Sequence, residues 1–198
     1  SCALMSICLN NQKIKAKSLL SWQIPIITSS EHMKSRILSI NKKFLYDELK
    51  NFEVLLIPGF QGINNKGELT TLGRGGSDTS AVAVAAAMET ECIIYTDVEG
   101  VFTTDPNIVP KAKKINKISY EEMLELASQG AKVLQTRSVE LAMRKNTKLS
   151  VRSSFKPKKI GTMITDEKSV LENNTVSGIT YSKDEAKITL SRVQDKPG

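Results

Sequence analysis

The stretch GRGGSDTSAVAVAAAMETECIIYTD, residues 73–97, combines a glycine-rich turn, a helix and a strand in close succession. Small residues dominate 77–88, which predicts a tightly packed helix that begins just after the glycine pair. The apolar run CIIY at 92–95 predicts a buried strand, and Thr96 and Asp97 follow it. This order of elements predicts an α/β fold, in which helices cover the faces of a sheet.

The same alternation extends to both sides of this stretch. Toward the N-terminus we predict helices at 3–10 and 42–51 and strands at 24–28 and 54–57. Toward the C-terminus we predict a helix capped by Ser119 and Glu122 that ends at Gly130, a second helix closed by Asn146, and a strand at 149–152. The run at 54–57 is apolar on both faces, as in parallel sheets, so we expect a mainly parallel sheet.

Other segments lack this alternation. Residues 58–72 begin with Pro-Gly and predict a turn that opens a loop, and KPKKIG at 156–161 predicts a second loop. A polar segment at 172–175 predicts a linker, and 176–193 alternates like a β-hairpin. Because this tail is too short to be a domain, we expect it to be the first strands of one that continues.

Composition excludes several classes of protein. The chain has 198 residues, 40% of them hydrophobic and 25% charged, which is typical of a globular domain with a real core. No run reaches the roughly 18 apolar residues of a membrane helix, and the start lacks the features of a signal peptide. Cys2, Cys8 and Cys92 match no zinc or redox spacing, so we expect small buried cysteines, no metal site and a cytoplasmic protein.

The net charge of +7 does not by itself indicate a nucleic-acid partner. Aromatic residues are only 5% of the chain, and the lysines are scattered rather than clustered with them. We therefore expect solvated lysines and no nucleic acid. We also expect His32, a lone histidine among polar residues, to lie on the surface.

The glycine-rich turn at 73–79 is the strongest candidate for a binding site. Adjacent Gly75 and Gly76 let the backbone approach an anion, and the helix start adds free N–H groups and its dipole. Arg74 offers a planar fork for a carboxylate or phosphate, and Asp78 lies in the first turn of the helix. No G-K-[ST] follows, so this is not a P-loop. The alternative is a plain turn in which Ser77 is the N-cap and Asp78 interacts with the helix dipole.

A second candidate follows the strand at 92–95, where the polar stretch TDVEGVFTTDP begins at the expected carboxyl edge of the sheet. Open α/β sheets bind ligands at that edge. Asp97 and Asp105 are candidates to contact a ribose or a magnesium ion. The alternative is that they only accept backbone N–H groups in Asx turns, which the Pro106 after Asp105 favours.

Taken together, these stretches resemble the aspartate kinase family of the amino-acid-kinase fold, over about residues 1–198. The motifs that carry the resemblance are GFQG at 59–62, TTLGRGGSDTSAVAVAAAM at 70–88, YTDVEGVFTTDP at 95–106, SYEEMLELASQGAKVLQ at 119–135 and VRSSF at 151–155. The TDxxGxxTxDP pattern is shared with other amino-acid kinases, such as glutamate or uridylate kinases. LGRGGSD combined with YEEMLELASxGAKVL is more specific to aspartate kinases.

The resemblance implies an architecture and an activity. It implies part of a three-layer α/β/α sandwich at 1–168, the C-terminal portion of the kinase domain, and a linker with the start of an ACT-type regulatory domain at 169–198. The implied reaction transfers a phosphoryl group from ATP, with Mg²⁺ carried by the nucleotide, to the side-chain carboxylate of L-aspartate. The product is 4-phospho-L-aspartate, the first intermediate toward lysine, threonine and methionine. The resemblance also implies a homo-oligomer, with lysine or threonine as feedback amino acid through the ACT region.

The resemblance also implies roles for residues that match the family motifs. Asp78 would be catalytic and organise charge at the transfer site. The aspartate substrate would be held by Arg74, Gly75, Gly76 and Ser77. ATP would be bound by Thr96, Asp97, Phe102, Thr103, Thr104, Asp105, Pro106 and Lys132. A flexible loop on the substrate side would be formed by Gly59, Phe60, Gln61 and Gly62.

One family motif is missing from the sequence. Aspartate kinases begin with K-[FY]-G-G-[TS]-S, whose lysine and glycines bind the transferring phosphates, and Gly75-Gly76 is the only Gly-Gly pair here. We therefore expect a fragment that begins well inside the kinase domain. The alternative function is a catalytically incompetent nucleotide-binding or regulatory fragment that acts only with a full-length partner.

Overall fold

The computed structural model describes residues 1–20, 22–23, 26–128, 133–166 and 178–180. The helices are α1 (Cys2–Asn11), α2 (Lys42–Leu49), α3 (Gly76–Ala87), α4 (Tyr120–Ser128) and α5 (Thr136–Lys145). The strands are β1 (Ala16–Ser18), β2 (Ile26–Thr28), β3 (Ile37–Ile40), β4 (Val54–Leu56), β5 (Gln61–Ile63), β6 (Leu69–Thr71), β7 (Cys92–Thr96), β8 (Lys117–Ser119), β9 (Leu149–Ser153) and β10 (Thr162–Thr165).

The strands form mixed sheets in which parallel pairing is the more common. One sheet has the order β7-β9-β10-β8, another the order β3-β2-β5-β6, and β1 pairs with β4. Parallel pairs are β1–β4, β2–β5, β7–β9 and β8–β10, whereas β2–β3, β5–β6 and β9–β10 are antiparallel. The predicted α/β class is confirmed.

Helix ends follow the chemistry of their capping residues. The Ser119 N–H donates to Oε2 of Glu122 at 3.0 Å, and the Glu122 N–H donates to Oγ of Ser119 at 3.2 Å, which confirms the predicted capping box. Asn146 ends α5 in the left-handed conformation, also as predicted. The alternative in which Ser77 caps α3 is wrong, because Gly75 is the N-cap and Ser77 lies inside the helix.

Residues 61–72 form a hairpin rather than the predicted loop. Strands β5 and β6 pair from Gln61–Thr71 to Ile63–Leu69. At the tip, Oδ1 of Asn64 accepts the N–H groups of Lys66 and Glu68, both at 3.0 Å, so the side chain holds the turn. The described residues do not include the predicted helix end at Gly130. They also exclude the linker and hairpin predicted at 172–193, except for 178–180, which are neither helix nor strand.

Helix α3 lies between two clusters of buried apolar side chains. Val82 on α3 is buried with residues of β7, β9, β10, α4 and α5, whereas Val84 and Met88 pack against Leu19, Ile26 and Leu45. The middle and the C-terminal half of α3 are therefore packed from both sides. The glycine turn leads directly into this buried helix.

The exposure of the cysteines and of the histidine can be compared with the predictions from the sequence. Cys92 is buried, and burial raises the pKa of its thiol to about 11, but Cys8 is exposed, so the expectation of buried cysteines is wrong for Cys8. His32 is exposed, as expected. Among the described residues, no helix combines the length and apolar character needed to cross a membrane.

Candidate functional site

The glycine turn connects β6 to α3 and is tightly folded. Gly73 and Gly75 have left-handed φ angles of 80° and 69°. The Gly76 N–H donates to the Gly73 carbonyl at 3.0 Å, and the Thr79 N–H donates to the Gly75 carbonyl at 3.1 Å. These two N–H groups are used inside the turn. The N–H groups of Ser77 and Asp78, which lie between them in the first turn of α3, have no partner within the helix and lie close to Arg74.

Neighbouring segments approach these glycines so closely that no side chain fits. A Cβ on Gly73 would lie 2.1 Å from the Met33 carbonyl oxygen, and one on Gly75 would lie 2.0 Å from Cγ of Gln135. A Cβ on Gly76 would lie 2.9 Å from Cδ2 of Phe60. The glycines therefore allow three segments that are distant in sequence, at Met33, Gln135 and Phe60, to pack against the turn. This packing is a reason for glycine at these positions that is separate from the approach of an anion.

Arg74 and Asp78 differ in their exposure to water. Arg74 is exposed, whereas Asp78 is half-buried in the first turn of α3. Burial raises the pKa of Asp78, and the backbone N–H of Gln135 and the Ser77 hydroxyl oppose that rise in smaller measure. An exposed guanidinium beside free helix N–H groups suits a carboxylate, and a shielded carboxylate beside them suits the organisation of charge.

The GFQG segment lies directly against this turn. The Phe60 N–H donates to Oγ of Ser80 at 2.9 Å, and the Phe60 carbonyl accepts the Leu72 N–H at 2.9 Å. A Cβ on Gly59 would lie 3.2 Å from Cα of Ser77. The structure thus places Gly59 and Phe60 against the glycine turn and the start of α3, but Gln61 and Gly62 belong to strand β5 and not to the predicted loop. A backbone hydrogen bond, not a flexible connection, holds this segment to the glycine turn.

Arg137, which the sequence analysis missed, is bonded to this site. Its guanidinium donates from Nη1 to the Leu72 carbonyl at 2.7 Å and from Nη2 to the Ser35 carbonyl at 2.6 Å. Both acceptors are backbone carbonyl oxygens, which every residue type has. The identity of the partner residues therefore gives no sign of this contact in the sequence. Only an arginine near the N-terminus of α5 was available as a signal.

Thr96 and Asp97 lie at the carboxyl end of β7, as the sequence predicts. The Thr96 hydroxyl donates to Oδ1 of Asp97 at 3.0 Å. The Thr96 carbonyl accepts the N–H and the hydroxyl of Ser154 at 2.8 and 3.0 Å. The end of β9 therefore holds the end of β7, while the Asp97 side chain is exposed.

The stretch from Phe102 to Pro106 is anchored at its start and exposed at its end. Phe102 forms a bridge with Lys114, and the Thr103 N–H donates to the Lys113 carbonyl at 2.9 Å. Oδ1 of Asp105 accepts the Asn107 N–H at 2.9 Å, which is an Asx turn. The alternative of an Asx turn is therefore realised for Asp105.

The predicted site residues fall into two groups on different sheets. Gly59, Phe60 and the turn up to Asp78 adjoin the sheet of β6, and the stretch from Thr96 to Pro106 follows β7. Helix α3 links them, since it packs against both β3 and β7. Lys132 lies outside the described residues. Within the described part of the chain, no group of three or more His, Cys, Asp or Glu side chains is arranged to hold a metal ion.

Comparison with known proteins gives consistent results. A curated aspartate kinase from Pseudomonas putida (strain KT2440) is 50% identical over 198 residues, covering 99% of this chain and 48% of the relative. The crystal structure of Escherichia coli aspartokinase III with aspartate and ADP superposes with a TM-score of 0.73 at 32% identity, covering 83% of this chain and 38% of that one. The lysine and aspartate complex of the same enzyme gives 0.73 at 31%, covering 85% and 39%.

These comparisons also define what part of a protein is in hand. The chain spans about half the length of the curated relatives it matches. It matches the sequence profile of the amino acid kinase family over residues 1–153. Because this match covers well over half of its 198 residues, the chain belongs to the amino acid kinase family.

Proposed function

We propose that this chain carries the aspartate site and the nucleotide site of an aspartate kinase. The reaction is the transfer of the γ-phosphoryl group of ATP to the side-chain carboxylate of L-aspartate, which gives 4-phospho-L-aspartate. The observation that carries the proposal is the turn at 73–76, where exposed Arg74 stands beside half-buried Asp78 at the start of α3. The relatives named aspartate kinase, at about half identity over the whole chain, support this choice of substrate.

The substrate side consists of Arg74, Gly75, Gly76 and Ser77. A dicarboxylate needs a cation and N–H donors, and this turn offers a guanidinium next to the first N–H groups of a helix. Gly59 and Phe60 close one side of the turn through the bonds of Phe60 to Ser80 and Leu72. Aspartate is also the ligand of the E. coli complex that superposes on this chain.

The chemistry requires charge management rather than a base. A free carboxylate, with a pKa near 4, is already an anionic nucleophile at neutral pH. The difficulty is to bring two anions together, so the site must hold them in line and spread the charge of the transferring group. Cations and N–H donors must spread that charge, and we assign to Asp78, whose half-buried carboxylate lies beside the substrate residues, the placement of the positive charges around nucleotide and substrate.

The nucleotide side consists of Thr96, Asp97, Phe102, Thr103, Thr104, Asp105, Pro106 and Lys132. The exposed carboxylates of Asp97 and Asp105 provide acceptors for ribose hydroxyls, and Phe102 provides apolar surface. Mg²⁺, carried by the nucleotide, would supply positive charge to the phosphates. Carboxylate oxygens are the ligands that this ion prefers, and exposed Asp97 and Asp105 are the candidates to contact it.

Regulation and location complete the proposal. We assign 1–168 to the kinase domain and 169–198 to a linker and the start of an ACT-type domain that responds to lysine or threonine in a cytoplasmic homo-oligomer. The lysine complex of the E. coli enzyme supports lysine as one such ligand. A hydrogen bond from the Ile179 N–H to the Thr103 carbonyl, at 2.7 Å, supports a coupling between the proposed regulatory segment and the proposed nucleotide side.

A hydroxamate assay tests the proposed activity. The chain, alone and in the longest form that its gene encodes, is incubated with Mg-ATP, hydroxylamine and either L-aspartate or L-glutamate. Hydroxylamine traps an acyl phosphate, so the signal reports carboxylate phosphorylation and not ATP hydrolysis. We expect aspartyl hydroxamate from the longest form and none from glutamate. ADP binding with no hydroxamate in either form would instead support the non-catalytic alternative.

A further inference from the structure

We propose that Arg137 is a positioning residue for the turn at 73–76 and that it sets the affinity of the site for its carboxylate substrate. The inference rests on the function proposed above, because it assigns the turn to the substrate. Arg137 lies in the first turn of α5, far from the turn in sequence. It reaches the turn only through the fold.

The guanidinium of Arg137 fixes two backbone segments relative to each other. Nη1 donates to the Leu72 carbonyl at 2.7 Å and Nη2 to the Ser35 carbonyl at 2.6 Å. Because the two nitrogens belong to one planar group, the separation of the two carbonyls is fixed by the fork. Hydrogen bonds of a charged donor are also about twice as strong as neutral ones.

Both carbonyls belong to segments that enclose the turn. Leu72 immediately precedes Gly73 and is buried. Ser35 belongs to a segment whose Met33 carbonyl would lie 2.1 Å from a Cβ on Gly73. The N–H and hydroxyl of Ser35 both donate to the Thr71 carbonyl, at 3.2 and 2.7 Å, which ties that segment to β6. Arg137 therefore binds both the residue that precedes the turn, Leu72, and the neighbouring segment at Ser35.

The start of α5 contacts the turn at two more points. The side chain of Gln135, the N-cap of α5, occupies the space beside Gly75. The backbone N–H of Gln135 donates a hydrogen bond to the carboxylate of Asp78, which lowers the pKa of that group. The first turn of α5 thus touches the beginning of the glycine turn, its middle and the proposed catalytic carboxylate. A displacement of α5 relative to the turn would move all three.

The role of Arg137 is to position and not to contact the substrate. Two of its nitrogens are engaged by carbonyls, whereas Arg74, the proposed substrate ligand, is exposed. Arg74 is separated from Leu72 only by Gly73, so a shift of the Leu72 carbonyl carries the Arg74 backbone with it. A misplacement of about 1 Å in such a site can cost on the order of 10²-fold in rate or affinity.

The test compares Arg137→Gln and Arg137→Lys with wild type, in the longest form that the gene encodes. The matched control is Arg144→Gln, which removes an exposed arginine from the last turn of the same helix. Steady-state assays give KM for L-aspartate, KM for ATP and kcat. Hydrogen exchange measures the Gly76 amide, which reports the turn because it donates to the Gly73 carbonyl.

We expect Arg137→Gln to raise KM for aspartate about 10- to 100-fold, in line with loss of a charged hydrogen-bonding group. KM for ATP should stay within about twofold, and exchange of the Gly76 amide should accelerate at least about tenfold. Arg137→Lys should fall between, because an ammonium keeps the charge but lacks the fork. The Arg144→Gln control should match wild type.

Two results would overturn the inference. One is an unchanged exchange rate of the Gly76 amide in Arg137→Gln. The other is an equal rise in both KM values with a lowered melting temperature, which is the signature of general destabilisation. If wild type does not phosphorylate aspartate, the proposed function fails, and the exchange rate of the Gly76 amide alone then decides whether Arg137 holds the turn.

Discussion

Alanine substitution of Gly73 and Gly67 separates backbone strain from close packing. Both residues have left-handed φ angles, 80° and 78°, so an alanine is strained to the same degree at each. They differ in their surroundings. A Cβ on Gly73 would lie 2.1 Å from the Met33 carbonyl oxygen, whereas a Cβ on Gly67, at the hairpin tip, meets nothing within 4 Å.

The two substitutions should differ in their cost to the free energy of unfolding. Left-handed strain costs an alanine about 1–2 kcal/mol, and this is all that Gly67→Ala should lose. At Gly73 the clash is with a backbone oxygen, so the chain itself must move, and overpacking of this kind adds about 1–3 kcal/mol. Gly73→Ala should also raise KM for aspartate, because Gly73 adjoins Arg74.

Urea unfolding followed by circular dichroism measures the free energy of unfolding of both variants. For a protein of this size, the additional loss in Gly73→Ala corresponds to a melting temperature lower by about 2–4 °C per kcal/mol. Equal losses in the two variants would refute the close approach of Met33 to the turn. A Gly73→Ala variant with an unchanged KM would refute the link between the turn and the substrate.

Three further substitutions test separate parts of the account. Arg74→Gln should raise KM for aspartate about 10- to 100-fold, because a charged hydrogen bond contributes about 1.5–3 kcal/mol, whereas the control Arg144→Gln should not. A KM for aspartate in Arg74→Gln equal to that of Arg144→Gln would exclude Arg74 as the carboxylate ligand. Burial raises the pKa of Asp78 above its ordinary value of 3.8, so this group's stabilising contribution falls as pH rises from 3.8 through the pKa of the folded state. Asp78→Asn should therefore unfold at pH 7 at a urea midpoint no lower than that of wild type, yet lose phosphoryl transfer; a lower midpoint would contradict the burial argument. Buried Thr162 accepts the Val101 N–H at 2.8 Å, so Thr162→Val should lower the free energy of unfolding by about 1–3 kcal/mol, and it should raise KM for ATP because Val101 adjoins Phe102. Thr162→Ser keeps the hydroxyl, so it should leave KM for ATP unchanged and lose only about 0.8 kcal/mol for the buried methyl group. Matching KM values in the two variants would show that the hydroxyl is dispensable.

Local chemistry made part of this fold predictable. The reciprocal bonds of Ser119 and Glu122 and the left-handed Asn146 follow from side chains a few residues apart, and both are found where the sequence predicts them. Strands β1 (Ala16–Ser18) and β8 (Lys117–Ser119) are not evident from the sequence, whereas the equally short β2 and β4 lie in apolar runs that predict them. The three residues of β1 (AKS) and of β8 (KIS) show neither an apolar run nor an alternating pattern, and their pairing partners are distant in sequence.

The candidate site was predictable as far as its residues act through their own type. The glycine pair, Arg74 and Asp78 stand out because a turn, a cation and a carboxylate precede one helix. Arg137 does not stand out, because its partners are the carbonyls of Leu72 and Ser35, and every residue type has a carbonyl. Contacts of a side chain with distant backbone become visible only when the chain is folded.

The account's central claim is that the turn at 73–76 holds the aspartate substrate. The most direct measurement is a crystal structure of the longest form encoded by the gene, with L-aspartate and ADP bound. We predict one carboxylate of aspartate against the Arg74 guanidinium and the backbone N–H groups at the start of α3, with ADP beside Thr96 and Asp97. Aspartate bound elsewhere, with the turn unoccupied at saturating concentration, would contradict the account.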